Sequence, residues 1–442
     1  RCCVRTVCPL AASLAHHLDT MRRLLLATRI FRESAPKAAV AAGAACLSYG
    51  IADCALFARG SELGTSKGRL VMAGDCGGTN TRLTLFLVPQ GATVELGKQP
   101  PGEPIFTKKY LNVDHPSFMA VCQTFLKEAE PLAAGKRPLY CCLACAGGIR
   151  DNSVAFTNVG KAWSIDGAVL ARELGIPKVT LINDFVAQGY GLLTLSDDEK
   201  MLLNSGKPQP GAPIACVGAG TGLGECFLTC DNGAYTCWAS EGGHAEFSPR
   251  DQLTYDLLSY LRAKFTEQGK SLAYSYRGEG TVIPGTNFNS KRVSVERVVS
   301  GSGLANVYDF LRTHWAFEHR VDKEIDAAFV SNPLHKQGAI VAEGAAKGDV
   351  VCFKAVSIFA ESFGAEAGVA ALKWLPYGGL YISGGIAAKN PSWVNSSDFL
   401  DAYRDKGRMS PLVEAVPLYL VKVEDTGERG ALFYAVRGLL TS

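Results

Sequence analysis

Carboxylate, amide and imidazole side chains that could do acid–base chemistry stand in three short groups. In the first, Asn183 and Asp184 directly follow the apolar run Lys178 to Ile182, which is typical of a strand. Ligands of α/β proteins bind at the carboxyl ends of strands, so this carboxylate could bind vicinal hydroxyls and accept a proton from one of them. Asp and Asn also cap helices, so a helix N-cap stays open as the alternative.

The other two groups add two carboxylates and an imidazole. Glu241 and His244 stand on either side of two glycines, a spacing that lets both side chains bind adjacent hydroxyls. A zinc protease site is excluded because the HExxH motif is absent from this stretch. Glu296 adds a third carboxylate, although the pattern around it, taken by itself, favours a solvated helix residue.

A glycine-rich turn, Gly74 to Arg82, separates two apolar runs and predicts a hairpin. Its glycines leave backbone N–H groups free to converge on an anion, and Thr79 adds a hydroxyl donor. Asp75 would repel a phosphate in such a cradle unless a divalent cation lay between them, so it indicates Mg²⁺. A plain hairpin turn is the alternative, since Asp, Gly and Asn are common turn residues.

Two further glycine turns follow predicted strands. Gly218 to Gly224 comes after the apolar run Ile214 to Val217, but its spacing fits neither the dinucleotide fingerprint nor a Walker A loop. A phosphate cradle of another type remains. The third turn, Ser383 to Ile386, could bring backbone close to the base or ribose of a nucleotide, with a structural glycine corner as the alternative.

Strands alternating with helices are predicted to position these groups. Tyr140 to Ala146 is a further strand, after which Ser164 is predicted to cap a helix that ends at Gly175. Cys352 to Trp374 is predicted to form a long apolar helix. This alternation favours sheets covered by helices. The two halves, each starting with a strand and a glycine turn, could be distant structural duplicates.

The composition is that of an ordinary globular protein. The chain has 442 residues, 47% of them hydrophobic, and 45 basic against 42 acidic residues give a net charge of +3. This balance argues against an electrostatic nucleic-acid binder and against disorder, and the length suits two or three domains. Fifteen cysteines, an odd number in so long a chain, predict reduced thiols. We interpret Cys142 and Cys145 as strand residues, because no second pair completes a metal site.

Residues 1–68 differ from the rest of the chain. Met21 opens an arginine-rich, acid-poor run that is followed by small residues, a pattern that resembles organelle transit peptides. Translated upstream sequence or a disordered extension is the alternative. The apolar stretch from Ala38 to Phe57 is broken by Asp53 and gives a weak membrane signal. The prediction is a cytoplasmic protein, or one in an organelle lumen if the leader is a transit peptide, with no membrane association.

Six of these motifs together resemble one family. In order and rough spacing the chain is similar to the bacterial-type glucokinases, in runs that begin at Gly74, Ile182, Gly218, Glu241, Glu296 and Ser383. The resemblance covers about residues 69–442. It implies the α/β, ribonuclease H-like fold of the actin-like ATPases, with a sugar and ATP cleft between two lobes. The implied lobes are a small one, residues 69–194 completed by a helix in 425–442, and a large one, residues 195–424.

The resemblance also implies an activity and its residues. The reaction is ATP-dependent phosphorylation of D-glucose to glucose 6-phosphate, the first step of glycolysis, with Asp184 as general base. The implied sugar ligands are Asn183, Asp184, Glu241, His244 and Glu296. ATP and Mg²⁺ are the implied cofactors, with the metal near Asp75. The implied nucleotide-binding residues are Asp75, Gly77, Gly78, Thr79, Asn80, Gly218, Gly220, Thr221, Gly222, Gly384 and Gly385.

Some points stay open at the level of sequence. A kinase for mannose, glucosamine or fructose, or a catalytically silent sugar sensor, would carry similar motifs. The oligomeric state is open, with a homodimer among the options. Between Arg250 and Arg292 the chain is longer than the usual bacterial member, which predicts a surface loop and makes the role of Glu296 the least secure.

Overall fold

The computed structural model of the chain describes residues 68–156, 163–267 and 292–440. The predicted leader, apart from Gly68, lies outside the described residues, and so does the central part of the predicted surface loop between Arg250 and Arg292. The described part of that segment is a helix, Gln252–Glu267, whose Leu257 and Leu261 are buried in the core, so the prediction of a loop was wrong there.

The first sheet has five strands in the order β3-β2-β1-β4-β7. Its strands are β1 (Gly68–Cys76), β2 (Asn80–Pro89), β3 (Glu103–Leu111), β4 (Tyr140–Cys145) and β7 (Lys178–Asn183). The three strands β1 to β3 pair antiparallel, whereas β4 is parallel to β1 and to β7. Asp75 lies opposite Arg82, so the hairpin predicted across the first glycine turn is confirmed. A separate ribbon pairs β5 (Ser153–Phe156) with β6 (Trp163–Asp166).

The second sheet has six strands in the order β11-β10-β9-β12-β13-β8. They are β8 (Lys200–Ser205), β9 (Ile214–Ala219), β10 (Leu223–Asp231), β11 (Ala234–Ser240), β12 (Gly379–Ser383) and β13 (Pro417–Val421). Here too three antiparallel strands, β9 to β11, are followed by two parallel ones, β12 and β13. Five strands of the second sheet therefore repeat the topology of the first, in agreement with the duplication that the strand-and-turn pattern suggested, and β8 is an additional antiparallel edge strand.

This topology explains why the polar motifs fall together. Parallel strands end at the same edge of a sheet, and a ligand binds outside that edge. In the first sheet Cys76 pairs with Cys145, and Cys145 pairs with Asn183. In the second, Gly218 pairs with Ser383. Each motif thus begins where a strand ends.

Helices cover the sheets. They are α1 (Phe118–Ala133), α2 (Gly167–Leu174), α3 (Asp184–Leu192), α4 (Gln252–Glu267), α5 (Gly301–Leu311), α6 (Lys323–Ser331), α7 (Leu334–Ala346), α8 (Val350–Trp374), α9 (Gly385–Lys389), α10 (Pro391–Val394), α11 (Ser397–Arg404), α12 (Ser410–Glu414) and α13 (Thr426–Leu440). Ala431, Ala435 and Val436 of α13 pack with Val71 and Tyr140 of the first sheet.

The predicted long apolar helix is confirmed as α8. Among the described residues it is the one helix long and apolar enough to cross a membrane, but 72% of its most apolar window is buried inside the protein. Its Phe359 and Phe363 are 1% and 0% exposed, in the core of the second sheet. Packing therefore accounts for its composition.

The cysteines of the described residues are free thiols, ten in all. Cys142 and Cys145 are fully buried in β4, which confirms their interpretation as strand residues. Burial raises the pKa of the Cys142 thiol well above its usual value, so it behaves as a small apolar group.

The helix that Ser164 was predicted to cap is capped two residues later, at Asp166. Ser164 is an exposed residue of β6, whose neighbours Trp163 and Ile165 are buried in strand alternation. The N-cap of α2 is Asp166, which accepts a hydrogen bond from the Val169 amide at 2.9 Å. Ser and Asp both cap helices, and the strand pairing decides between them.

We expect Asp166→Ala to lower the free energy of unfolding by about 1 kcal/mol, because the amides of the first turn of α2 lose their acceptor. Ser164→Ala is the matched control, and should change the same quantity by less than about 0.5 kcal/mol. Denaturant unfolding of both variants checks this. Equal losses would contradict the assignment of the cap.

Candidate active site

One open cleft, with a volume of about 590 Å³, is lined by residues from both sheets. Most of the residues singled out from the sequence lie on its wall: Gly78, Asn183, Asp184, Gly218, Gly220, Thr221, Gly222, Glu241, His244, Glu296, Gly384 and Gly385. Asp75, Gly77, Thr79 and Asn80 belong to the same hairpin as Gly78 but are not part of this wall. Motifs far apart in the chain thus meet at one place.

Asp184 occupies the first position of α3, immediately after β7. The pKa of its carboxyl is raised to about 6, chiefly by burial in the cleft wall; the Phe185 amide lowers this pKa, and the charges of Asp75 and Glu241 contribute to the increase. Its Oδ1 accepts a hydrogen bond from that amide at 2.9 Å. A carboxylate whose pKa lies close to neutral pH is suited to act as a general base.

Asn183 holds the start of α3 in place. Its Oδ1 accepts hydrogen bonds from the Phe185 and Val186 amides at 2.9 and 3.2 Å, so the helix N-cap considered from the sequence is realised by this residue. Its Nδ2 donates to the Gly147 carbonyl at 3.1 Å. One amide hydrogen of Asn183 is left over for a ligand in the cleft.

Asp75 is the last residue but one of β1, lies opposite Arg82 and is exposed to solvent. Desolvation by the surrounding protein raises the pKa of its carboxyl, and Glu428 adds to this, whereas Arg82 and Lys109 lower it. The charge of Asp75 also raises the pKa of Asp184. A cation near Asp75 would relieve this repulsion, and carboxylate oxygens are the ligands that Mg²⁺ prefers.

The described residues contain no group of three or more His, Cys, Asp or Glu side chains that could hold a metal by themselves. Mg²⁺ seldom needs such a cage, because it usually keeps several waters and binds one or two carboxylates together with substrate phosphates. The surroundings of Asp75 therefore fit Mg²⁺ that arrives with a nucleotide.

Asn112, which the sequence did not reveal, shapes the first glycine turn. It is 1% exposed, and its Nδ2 donates to the carbonyls of Gly77 and Gly78 at 2.8 and 3.1 Å. Its Oδ1 accepts from the Thr81 hydroxyl at 2.9 Å. The residue lies more than thirty positions along the chain and comes near only through the pairing of β2 with β3, so no local pattern could indicate it.

Glycines of the second and third turns let the two turns pack together. A Cβ at Gly218 would lie 2.5 Å from Ser383 Oγ, and one at Gly384, where φ is 90°, would lie 2.3 Å from the Ala219 carbonyl oxygen. The structural glycine corner considered for the third turn is therefore real at Gly384. Gly220, in contrast, has open space at its Cβ position.

Glu296 lies in a short 3₁₀ turn, Val295–Arg297, and not on the solvated helix that its pattern favoured. Its Oε2 accepts a hydrogen bond from the Leu223 amide at 3.0 Å, and a Cβ at Gly222 would lie 2.5 Å from that oxygen. The Val295 amide donates to the Ala245 carbonyl at 2.9 Å. This hydrogen bond brings the segment that begins at Arg292 to the cleft.

Glu241 precedes the 3₁₀ turn Gly242–His244 that follows β11, and His244 is the last residue of this turn. Both side chains are exposed, and His244 Nε2 lies 3.8 Å from Glu241 Oε2. The turn therefore presents an acceptor and an imidazole side by side at the cleft.

The cleft wall also contains residues that the sequence analysis did not select: Ala146, Gly147, Gln188, Ser240, Val423 and Glu424. Ala146 and Gly147 could have been found, because they follow β4 just as the other glycine turns follow their strands, and Gly147 has a φ of 124°. Gln188 lies one helical turn after Asp184, a relation that only the helix makes visible.

Comparisons with known sequences agree on one family. A sequence model of the glucokinase family matches residues 72–272 and 266–437. The glucokinase of Nostoc sp. is 38% identical over 379 residues, which are 83% of this chain and 99% of that protein. The glucokinase of Synechocystis sp. is 35% identical over 385 residues, with 83% and 98% covered.

Solved structures are similar in fold. A glucokinase from an Antarctic psychrotroph matches with a TM-score of 0.63 at 25% identity, covering 83% of this chain and 99% of that one. The glucokinase of Balamuthia mandrillaris, solved in complex with glucose, matches with a TM-score of 0.64 at 19% identity, covering 84% and 95%.

Two sheets of repeated topology, with glycine turns and a carboxylate at a shared cleft, define a hexokinase-type phosphotransferase of the actin-like ATPase fold. The fold class predicted from the sequence is thereby confirmed. The chain belongs to the glucokinase family, as the six ordered motifs predicted.

Proposed function

We propose that this protein phosphorylates D-glucose on its 6-hydroxyl with ATP, and that the cleft binds both substrates. The observation that carries the proposal is Asp184, a carboxyl with a pKa raised to about 6, placed in the wall of a cleft that glycine turns of both sheets also line. Membership of the glucokinase family supports the choice of sugar and donor.

On the sugar side, the wall offers the mixture of acceptors and donors that hydroxyl groups require. We assign Asp184, Glu241 and Glu296 as acceptors, and the remaining amide hydrogen of Asn183 and the imidazole of His244 as donors. One oxygen of Glu296 already accepts from the Leu223 amide, so its other oxygen would meet the sugar.

On the nucleotide side, one backbone amide in each of the first two glycine turns is already hydrogen-bonded within its turn and is not available to phosphate. The Gly77 amide donates to the Asn80 carbonyl at 3.0 Å, and the Gly220 amide donates to the Gly222 carbonyl at 2.8 Å, so both close their own turns. We therefore assign the phosphate contacts to the amides of Gly78 and Thr221. The hydroxyls of Thr79 and Thr221 are further donors, and Asn80, Gly384 and Gly385 are assigned to the remainder of the nucleotide.

Asp75 would hold Mg²⁺ together with the nucleotide. When bound, the metal would neutralise part of the phosphate charge. Asp184 accepts the proton of the 6-hydroxyl as that oxygen attacks the γ-phosphorus in line, and the bond between the γ-phosphorus and the β,γ-bridging oxygen breaks so that ADP leaves. Phosphoryl transfer passes through a loose transition state, so positioning of the two substrates supplies most of the rate. The amides of the glycine turns hold the phosphates for this attack.

The two sheets suggest how water is kept out. We assign residues 69–194, with the helix in 425–442, to a small lobe and residues 195–424 to a large one. Each lobe contains one sheet, and the cleft is lined from both. Closure of the lobes on the sugar would exclude water, which otherwise competes with the 6-hydroxyl for the phosphoryl group.

The test is a turnover assay with the purified protein across sugars and phosphoryl donors. We expect glucose 6-phosphate from glucose, ATP and Mg²⁺, with a higher kcat/KM for glucose than for mannose, glucosamine or fructose, since sites that match hydroxyls discriminate by up to about 10⁴-fold. A higher kcat/KM for another hexose would contradict the sugar. Glucose binding by calorimetry without turnover would indicate a sensor instead.

A further inference from the structure

Two buried carboxyl groups lie behind the turn that carries Glu241 and His244. Glu225, near the start of β10, is 1% exposed, and Glu366, in α8, is 7% exposed. Carboxylates are almost never fully buried unless they are paired. Neither residue contributes to the cleft wall, so the mechanism above leaves their burial unexplained.

The carboxyl group of Glu225 is in direct contact with the backbone of the turn. A Cβ at Gly242 would lie 1.7 Å from Glu225 Oε2, and one at Gly243 would lie 1.9 Å from the Leu223 carbonyl oxygen. Glu225 also pairs with Ser240 in the β10–β11 register, and the Gly242 amide donates to Ser240 Oγ at 3.0 Å. The Glu225 carboxyl therefore determines how closely this turn packs against β10.

The carboxyl groups of Glu225 and Glu366 are close enough for each to influence the pKa of the other. No N–H or O–H group in the described part of the chain donates to either oxygen of Glu225 or to Oε1 of Glu366. Ionised carboxylates only accept hydrogen bonds, whereas a protonated one also donates. A single proton between them would therefore supply the missing donor and remove the repulsion of two buried charges.

The surrounding charges do not replace that proton. The pKa of Glu225 is raised to about 8, chiefly by burial and then by the charge of Glu366, while Lys373 lowers it. Burial also raises the pKa of Glu366, against Lys373 and Lys406. Lys406 donates to the backbone carbonyls of Ala402 and Asp405, and burial followed by the charge of nearby Arg250 lowers its pKa to about 8.

We propose that Glu225 and Glu366 share one proton and act as a positioning pair. The pair holds the Glu241–His244 turn in the position at the cleft that sugar binding needs. This rests on the proposed function, because it takes Glu241 and His244 as sugar ligands. Loss of the shared proton to water leaves two buried negative charges side by side. They separate, and the turn above Glu225 moves with them.

The experiment compares wild type with Glu225→Gln, whose amide keeps the shape, supplies a donor and cannot ionise. If the ionised pair no longer holds the turn, the wild-type KM for glucose rises about tenfold between about pH 7 and about pH 9, whereas kcat changes little. For Glu225→Gln the ratio of the KM for glucose at about pH 9 to that at about pH 7 should stay near one. A ratio equal to that of wild type would overturn the proposal.

Glu343→Gln is the control, because Glu343 is an exposed helix residue paired with Lys347. Its KM ratio should equal that of wild type. Lys406 titrates in the same pH range, and it is present in both proteins, so the comparison removes its effect. If Glu225→Gln does not fold, Glu366→Gln replaces the same shared proton with an amide hydrogen and is measured in its place.

A second readout separates this proposal from the proposed function. A carboxyl whose pKa is raised in the folded state stabilises the fold fully below its unfolded pKa and loses that stabilisation as pH rises through the folded pKa. The melting temperature of Glu225→Gln minus that of wild type should therefore grow between about pH 5 and about pH 9. If it grows and no sugar is phosphorylated, the proposed function fails alone. If it stays constant while glucose is phosphorylated, the shared proton fails alone.

Discussion

Asp184→Asn should lower kcat for glucose phosphorylation by about 10²- to 10⁴-fold, the usual contribution of a general base. Asparagine keeps the size and one acceptor oxygen, so the KM for glucose should change far less than kcat. The fall in rate follows from the loss of the group that accepts the 6-hydroxyl proton. Steady-state kinetics with varied glucose at saturating Mg-ATP measure both quantities.

The pH profile of wild type gives an independent check on the same residue. The base must be ionised, and its pKa is raised to about 6 by burial, so kcat/KM should fall about tenfold per unit as pH drops below that value. Asp398→Asn is the matched control, since Asp398 is an exposed carboxylate in the first turn of α11. It should keep wild-type kinetics. More than about one tenth of the wild-type kcat in Asp184→Asn would assign the base to another residue.

The part of the site that follows strand ends could be predicted from the sequence. Asn183, Gly218 and Gly384 each come next to an apolar run, and the rule that ligands bind outside the carboxyl ends of strands brought them to one cleft. The signal is local in each case, because the strand and its turn are neighbours in the chain. Ala146 and Gly147 carry the same signal, because they directly follow β4.

The part that depends on contacts between distant segments could not be predicted. Asn112 shapes the first glycine turn across a strand pair, and Glu366 of α8 lies near Glu225 of β10 although the two are more than a hundred residues apart in the chain. The cap of α2 is a milder case, in which Ser164 and Asp166 have similar propensities and the pairing of β6 selects the second. Local propensity leaves such alternatives equal, and tertiary packing decides them.

Two physical causes, anion binding and close packing between segments, account for the glycines of the site. The sequence suggested that they free backbone amides for phosphate, yet the amides of Gly77 and Gly220 are used inside their own turns. Gly224 is required for a different reason, because a Cβ there would lie 1.9 Å from the ring of Phe185, the residue after Asp184. Close approach between segments is therefore as strong a cause of these glycines as anion binding.

Close approach also fixes the helix that carries Asp184. α13 crosses α3 with the two backbones in contact, since a Cβ at Gly430 would lie 1.7 Å from the Ala187 carbonyl oxygen and one at Gly191 would lie 1.9 Å from the Thr426 carbonyl oxygen. Backbone atoms cannot turn aside as a flexible side chain can. A methyl group at either glycine must push the helices apart, and Asp184 at the start of α3 would move with its helix.

Gly430→Ala should therefore lower the free energy of unfolding by about 1 to 3 kcal/mol, the usual cost of overpacking, although alanine favours a helix by about 1 kcal/mol over glycine. It should also lower kcat by up to about 10²-fold, because a displacement near 1 Å at the reacting groups has that effect. Denaturant unfolding and steady-state kinetics measure the two losses. Gly427→Ala, on the same helix, is the matched control, since its Cβ would meet only Gln188 Oε1 at 3.5 Å, an ordinary contact. It should leave the stability equal or higher, and equal behaviour of the two variants would show that α3 and α13 can separate without cost.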